Sequence, residues 1–152
     1  MLLHINHPSQ NCLGSLNITG SKSETNRLLL LQALYPGLTI ENRSNSDDSV
    51  AMNHALTTDS NLIDIHHAGT AMRFLTAFFA TQEGREIVLT GSSRMQERPI
   101  GVLVNALRKL GAQISYEKKE GYPPLRISGK ALKVERFLYR LILVANIFLL
   151  YY

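Results

Sequence analysis

The sequence predicts an α/β fold, and three observations carry that prediction. Short stretches alternate apolar and polar residues with the period of a strand, and longer runs between them have the period of a helix. Polar turns rich in glycine and serine separate them, and the order repeats before closing on two paired strands. At 152 residues the chain is long enough to bury one sizeable core and too short for two large lobes. Hydrophobic residues make up 45% and charged residues 18%, which excludes disordered, collagenous and membrane-embedded classes.

Each element follows from local chemistry. Ser15 to Thr19 alternates polar and apolar residues and is expected to be a strand that Gly20 ends. A helix then runs through Leu28 to Leu34, beginning near Ser21. Leu38 to Arg43 reads as a second strand and Ser44 to Asp48 as a turn rich in capping residues. Val50 to Leu56 reads as a short helix with acidic residues at its positive end. Ile63 to His66 is the third strand, after which Gly69 and Thr70 open a helix from Ala71 to Thr81. Glu86 to Thr90 is the fourth strand, and Gly91 to Glu97 is a polar turn before a helix with Pro99 in its first turn and Gly111 as its stop. Gln113 to Tyr116 and Leu125 to Ile127 are the last two strands, joined across Gly121-Tyr122-Pro123-Pro124.

Sixteen Lys and Arg against twelve Asp and Glu leave a formal charge of +4, which favours anionic partners such as phosphorylated metabolites or nucleic acid. No dense basic stripe interleaved with aromatics is present, so nucleic acid is not expected. The single cysteine, Cys12, forms no internal disulfide and reads as a small buried hydrophobe in a reducing compartment. Met1 to Cys12 has no basic n-region and is interrupted by His4, Asn6 and His7, so a signal peptide is not expected and a cytoplasmic location is. The sequons Asn17-Ile18-Thr19 and Asn42-Arg43-Ser44 then read as chance matches.

Function is indicated by where the cations fall. In Gly20-Ser21-Lys22-Ser23-Glu24-Thr25-Asn26-Arg27, Ser23 and Arg27 are four apart and share a helix face, with Lys22 beside them. A helix N-terminus offers unpaired N–H groups and about half a positive charge, and a hydroxyl, an ammonium and a guanidinium added there make a phosphate site. The device recurs at Gly69-Thr70-Ala71-Met72-Arg73 and at Ser93-Arg94-Met95-Gln96-Glu97-Arg98. Taken singly, each turn could be structural, with Ser21 or Ser23 as a cap and an arginine paired to Glu24 or Glu97. Three in series favour a ligand. The first is not a nucleotide P-loop, because Ser21 stands where a second glycine must precede the lysine. His66 and His67 are adjacent on an expected strand and point to opposite faces, so no metal site is expected. Asp47 and Asp48 could form an acid/base pair, but beside Ser44 and Ser46 they read as helix-capping residues.

Six blocks in order carry a resemblance: Gly20 to Arg27, Ser46-Asp47-Asp48, Ala68 to Arg73, Leu89-Thr90-Gly91, Arg94 to Ile100, and Glu120 to Leu125. Together they resemble the N-terminal third of the EPSP synthase family, the enolpyruvyl transferases of the shikimate pathway, over Ser15 to Lys133. The resemblance implies a partial lobe of the enolpyruvyl transferase fold, built from βαβαββ units. It implies transfer of the enolpyruvyl group of phosphoenolpyruvate to the hydroxyl of shikimate 3-phosphate, with phosphate released and neither metal nor cofactor required. Carried over by position, Lys22, Ser23 and Arg27 are expected to contact shikimate 3-phosphate, Lys22 to face phosphoenolpyruvate as the catalytic group, and Gly69 and Arg94 to contact phosphoenolpyruvate. Arg73 and Arg98 are expected to support the fold through ion pairs. Two positions depart from the family pattern, which commonly has Asn where His67 stands and Pro where Phe74 stands; His67 can still donate a hydrogen bond.

The family fold has two lobes with substrates bound between them, and further acid, base and cationic groups come from the second. Residues 1–133 are therefore expected to be an incomplete N-terminal lobe, inactive alone. The segment 134–152 matches nothing in the family where a serine-serine-glutamine loop should follow, and Arg140 and Asn146 make it a poor membrane span. Codons for Val144 to Tyr152 can be chosen so that the adjacent frame reads SSQYISALL, which makes a frameshift the expected origin of the tail. A different class of reading is a non-catalytic module for phosphorylated metabolites, or a half-enzyme needing a separately made second lobe. A related sugar-nucleotide enolpyruvyl transferase is disfavoured, because its loop cysteine has no counterpart at Cys12. Complete members of the family are expected to be monomeric.

Overall fold

A computed structural model describes residues 14–131. Cys12 and the segment 134–152 lie outside the described residues, as do the expectations attached to them.

The described chain runs α1 (Lys22–Leu34), α2 (Asp47–Thr57), β1 (Leu62–Asp64), α3 (Gly69–Ala80), β2 (Glu86–Thr90), α4 (Ser93–Gln96), α5 (Gly101–Lys109), β3 (Gln113–Tyr116) and β4 (Leu125–Ser128). The four strands form one sheet in the order β1-β2-β4-β3. β1 and β2 are parallel, with Ile63 opposite Leu89, and α3 is the crossover between them. β4 runs antiparallel to both neighbours, placing Ile127 between Ile87 and Ile114.

Helix α3 is the centre of the core. Ala71, Met72, Phe74, Leu75, Thr76, Phe79 and Ala80 are all buried along it, a stripe wide enough to meet both the sheet and the other helices. The sheet answers with Ile63, Ile87, Leu89, Ile114, Leu125 and Ile127, while α2 and α5 add Met52, Val104 and Leu107. Thr76, buried among them, donates its hydroxyl to the Met72 carbonyl at 2.7 Å, which satisfies the only polar group on its side chain.

Several element boundaries differ from expectation for identifiable reasons. Ser15–Thr19 does not form a strand: Leu16 and Ile18 are 85% and 75% exposed, and no ladder pairs with the segment among the described residues. Alternation makes a chain extended, but a strand also needs a partner and a surface to bury. Leu38–Arg43 is not a strand either, because Asn42 turns into the left-handed region at φ 48° and its carbonyl accepts from Gly20 N–H at 3.0 Å. That bond ties the chain leaving α1 back to its start.

β1 ends at Asp64 rather than His66. The Asp64 carboxylate accepts from the His66 backbone N–H at 2.7 Å, and His66 adopts φ 50°, a local turn that competes with the ladder. His66 and His67 therefore lie in a turn, not on a strand. Residues 93–96, expected as part of a polar turn, form the short helix α4, capped by Ser92, whose hydroxyl accepts from Met95 N–H. Pro99 lies before α5 and not in its first turn, because Ile100 N–H bonds to the Gly121 carbonyl at 2.9 Å and the helix begins at Gly101. Gly111 ends α5 as expected, at φ 97°.

Candidate functional site

The first cluster sits at the start of α1. Ser21 caps the helix, its hydroxyl accepting from Glu24 N–H at 3.4 Å, so Lys22 and Ser23 are its first two residues. Arg27 lies one turn on and donates Nη1 to the Ser23 carbonyl at 2.6 Å, which confirms that Ser23 and Arg27 share a face. The Lys22 ammonium is 3.5 Å from Asp48 Oδ2 on the first turn of α2.

Beneath these groups a buried polar seam joins α1 to the start of α2. Asn26 and Ser49 are both buried, and the Ser49 hydroxyl donates to Asn26 Oδ1 at 2.8 Å. Ser46 Oγ is 3.1 Å from Ser49 Oγ and 3.2 Å from Ser44 Oγ, and Ser44 N–H donates to Thr25 Oγ1 at 3.0 Å. The Asn26 Nδ2 group has no hydrogen-bond partner among the described residues. Sequence reasoning missed this seam, although Thr25, Asn26, Ser44, Ser46 and Ser49 are the small hydrogen-bonding residues that such a contact needs.

The second cluster is formed by the turns that follow β1 and β2. These strands are parallel neighbours, so their C-terminal ends lie side by side. The turns touch directly: Ser92 N–H donates to the His66 carbonyl at 2.9 Å. Gly69 opens α3, and a Cβ there would stand 2.6 Å from Arg98 Nη1 and 3.9 Å from Met95 Cε. Gly69 thus lies against α4, the helix that carries the exposed Arg94. Arg73 donates weakly to the carbonyls of Gly69 at 3.4 Å and Pro99 at 3.5 Å. Burial and then the Arg98 guanidinium lower the Arg73 pKa from its usual value.

The expected ion pairs of Arg73 and Arg98 are not formed. Among the described residues neither these arginines nor Arg94 pairs with a carboxylate, and Arg73 is held by main-chain carbonyls instead.

The two clusters lie toward the same end of the sheet. Four residues connect α2 to β1, and Arg85, just before β2, donates to the carbonyls of Thr58 at 2.7 Å and Ser60 at 3.1 Å. The C-terminal end of α2 is thereby pinned to the starts of β1 and β2. Its N-terminal end, with Asp48 and Lys22, lies toward the strand ends that lead into α3 and α4. Lys22, Ser23 and Arg27 form one group and Gly69 with Arg94 the other, and α2 packs against both α1 and α3. Ligands in parallel-stranded sheets bind at that end, beyond the carboxyl ends of the strands. Among the described residues no three His, Cys, Asp or Glu side chains gather as metal ligands, and no helix is long and apolar enough to cross a membrane.

Known proteins were compared with this arrangement. A model of the EPSP synthase (3-phosphoshikimate 1-carboxyvinyltransferase) family matches residues 56–144. The chain belongs to the EPSP synthase family. A 3-phosphoshikimate 1-carboxyvinyltransferase of Bacteroides fragilis is 49% identical over 126 residues, covering 82% of this chain and 30% of the relative. One from Pseudoalteromonas atlantica is 42% identical over 154 residues, covering 84% and 36%. The solved EPSP synthase of Acinetobacter baumannii superposes with a TM-score of 0.67 at 20% identity, covering 87% of this chain and 37% of its own, which supports the fold. The chain spans about a third of the length of these EPSP synthase relatives.

Within the family's Ala68–Arg73 block, Gly69 leads to a specific expectation. The atom that a Cβ would meet is the tip of a flexible arginine, whereas at Gly91 it would meet the His66 main-chain carbonyl at 2.6 Å and the Met95 stem. Gly69→Ala is expected to keep stability within about 1 kcal/mol, because the better helix propensity of alanine offsets the displaced guanidinium. Gly91→Ala is expected to lose at least about 1–3 kcal/mol through overpacking. Thermal melts of the two variants side by side check the contrast.

Proposed function

We propose that this chain supplies one substrate-binding face of an enolpyruvyl transferase that joins phosphoenolpyruvate to shikimate 3-phosphate. The observation that supports this is the pair of cationic clusters, at the start of α1 and at the turns after β1 and β2, which α2 links by packing on both α1 and α3. Two highly anionic metabolites repel one another, and cations converging on both offset that repulsion while fixing the line of attack.

In this reading Lys22, Ser23 and Arg27 hold shikimate 3-phosphate at the first turns of α1, where helix N–H groups add to the side-chain donors. Gly69 lets main chain approach phosphoenolpyruvate and Arg94 neutralises its charge. The acceptor hydroxyl gives up its proton to a general base as its oxygen bonds to C2 of phosphoenolpyruvate, while C3 gains a proton from a general acid. Loss of a C3 proton with cleavage of the bond to the phosphate oxygen then releases phosphate and leaves the enol ether. Lys22, beside both ligands, stabilises the charge that moves between them. The proton transfers need general acid and base groups, each worth about a hundred- to ten-thousand-fold, and this reading assigns them to the second lobe of the family fold. The chain alone is therefore a binding unit and not a complete catalyst. The same reading assigns it to the cytoplasm, with two phosphorylated metabolites as its ligands.

Calorimetry with shikimate 3-phosphate, run beside a phosphate-release assay with both substrates, tests this. Binding without turnover is the expected result. Turnover by the purified chain would overturn its incompleteness, and absence of binding would overturn the ligand assignment. Restoration of turnover by a separately made second lobe would identify a half-enzyme.

A further inference from the structure

The α1–α2 contact holds an acid that the proposed reaction does not use. Asp48 is the second residue of α2, with its side chain 15% exposed, and Oδ2 lies 3.5 Å from the ammonium of Lys22, which is 49% exposed. Its neighbour Asp47 occupies the same helical turn, is exposed, and has no ion-pair partner among the described residues. Two adjacent carboxylates at one helix N-terminus thus differ in burial and in having Lys22 as a partner.

The seam fixes that difference. Lys22 and Asn26 are four apart on α1 and face the same neighbour, and Ser49, next to Asp48, is bonded to Asn26 at 2.8 Å within the buried layer. Ser46, Ser44 and Thr25 extend the same chain of bonds, so the register of α2 against α1 is set by buried polar groups that are costly to leave unpaired. A lysine stem is long and flexible, so at a surface its compact charge is spread over many rotamers. A carboxylate anchored by its own helix gives the ammonium one preferred place.

We propose that Asp48 is a positioning residue for Lys22, holding its ammonium over the N-terminus of α1 where the anionic ligand is received. The proposal deepens the ligand reading above and rests on it. Its sign is distinctive. By charge alone, removing a carboxylate near an anion site strengthens anion binding. Removing a positioning residue weakens it.

The test uses the chain with Asp48→Asn, Asp48→Glu and Asp47→Asn, and follows the lysine side-chain ammonium resonances by NMR together with calorimetry of shikimate 3-phosphate. Lys22 is assigned from the signal missing in Lys22→Arg. The expected result is a slowly exchanging Lys22 ammonium in the parent and in Asp47→Asn, its loss in Asp48→Asn, and partial recovery in Asp48→Glu. Affinity is expected to fall about fivefold in Asp48→Asn while Asp47→Asn holds or gains slightly. An unchanged Lys22 signal in Asp48→Asn, or an affinity equal to or above the parent's, would overturn the proposal. If the parent binds no shikimate 3-phosphate the ligand reading fails, and the ammonium signal still decides whether Asp48 fixes Lys22. Thermal melts identify a variant that has failed to fold, in which case the Asp48→Glu comparison with the parent decides.

Discussion

Phe74→Ala is expected to lose about 3–5 kcal/mol of stability, enough to bring the domain close to unfolding. Phe74 is among the largest fully buried side chains, and it lies mid-way along α3, the helix that meets both the sheet and its neighbouring helices. Truncation removes the transfer free energy of the ring and leaves a cavity between elements that are anchored elsewhere and cannot close over it. The resemblance leads to proline being expected at this position. A phenylalanine retains the helical N–H that proline lacks, and its ring fills the core. The melting temperature should fall by about 15 °C or more. Val102→Ala, at a side chain 73% exposed on α5, should stay within about 0.5 kcal/mol and serves as the comparison. A loss below about 1 kcal/mol for Phe74→Ala, measured by denaturant titration, would contradict the packing described.

Lys22→Met is expected to reduce affinity for shikimate 3-phosphate by about ten- to a hundredfold while leaving the fold intact. A hydrogen bond from a charged donor to phosphate is worth about 1.5–3 kcal/mol, which converts to that range. The cost to stability is small because the ammonium is half exposed and its pair with Asp48 is partly solvated, a setting in which ion pairs contribute about 0–1 kcal/mol. Salt separates this effect from a general loss of structure. Raising ionic strength should weaken the parent's binding more than the variant's, since the variant has already lost one screened charge. Calorimetry at low and high salt reads both numbers, and equal affinities for parent and variant would remove Lys22 from the site.

Much of the fold was legible in the residues. β2 and β3 fall on the expected residues, because short runs rich in β-branched residues, such as Ile87-Val88-Leu89, are bounded by polar turns. Helices α1, α2 and α3 were legible in type, but each begins earlier than its apolar run. The hydrophilic first turn of α1 is capped by the Ser21 hydroxyl, whereas Ser46 stands at the cap position of α2 without a side-chain capping bond and its main-chain carbonyl accepts from Ser49 and Val50 N–H. Motif spacing also found the two cationic clusters, since a glycine or serine before a helix with an arginine within its first turns is a local pattern.

What failed were inferences that needed a partner. Ser15–Thr19 and Leu38–Arg43 have strand composition and form no strand, because pairing is decided by a neighbour that the segment itself does not specify. Arginines 73 and 98 were expected to meet acids, and their neighbours proved to be carbonyls and each other. Asp48 read as one of two capping acids, and the structure set it apart by bringing α2 against Lys22.

The sequence by itself determined the class of fold, the helical character of α1, α2 and α3 and the grouping of cations near helix starts, because capping, periodicity and i to i+4 spacing act over one or two turns of chain. The tertiary structure alone decided which strands exist, that two cationic turns abut, and that Lys22 faces Asp48. Those facts depend on residues distant in sequence being brought within a few ångströms by burial of a shared core, and no local pattern encodes that distance.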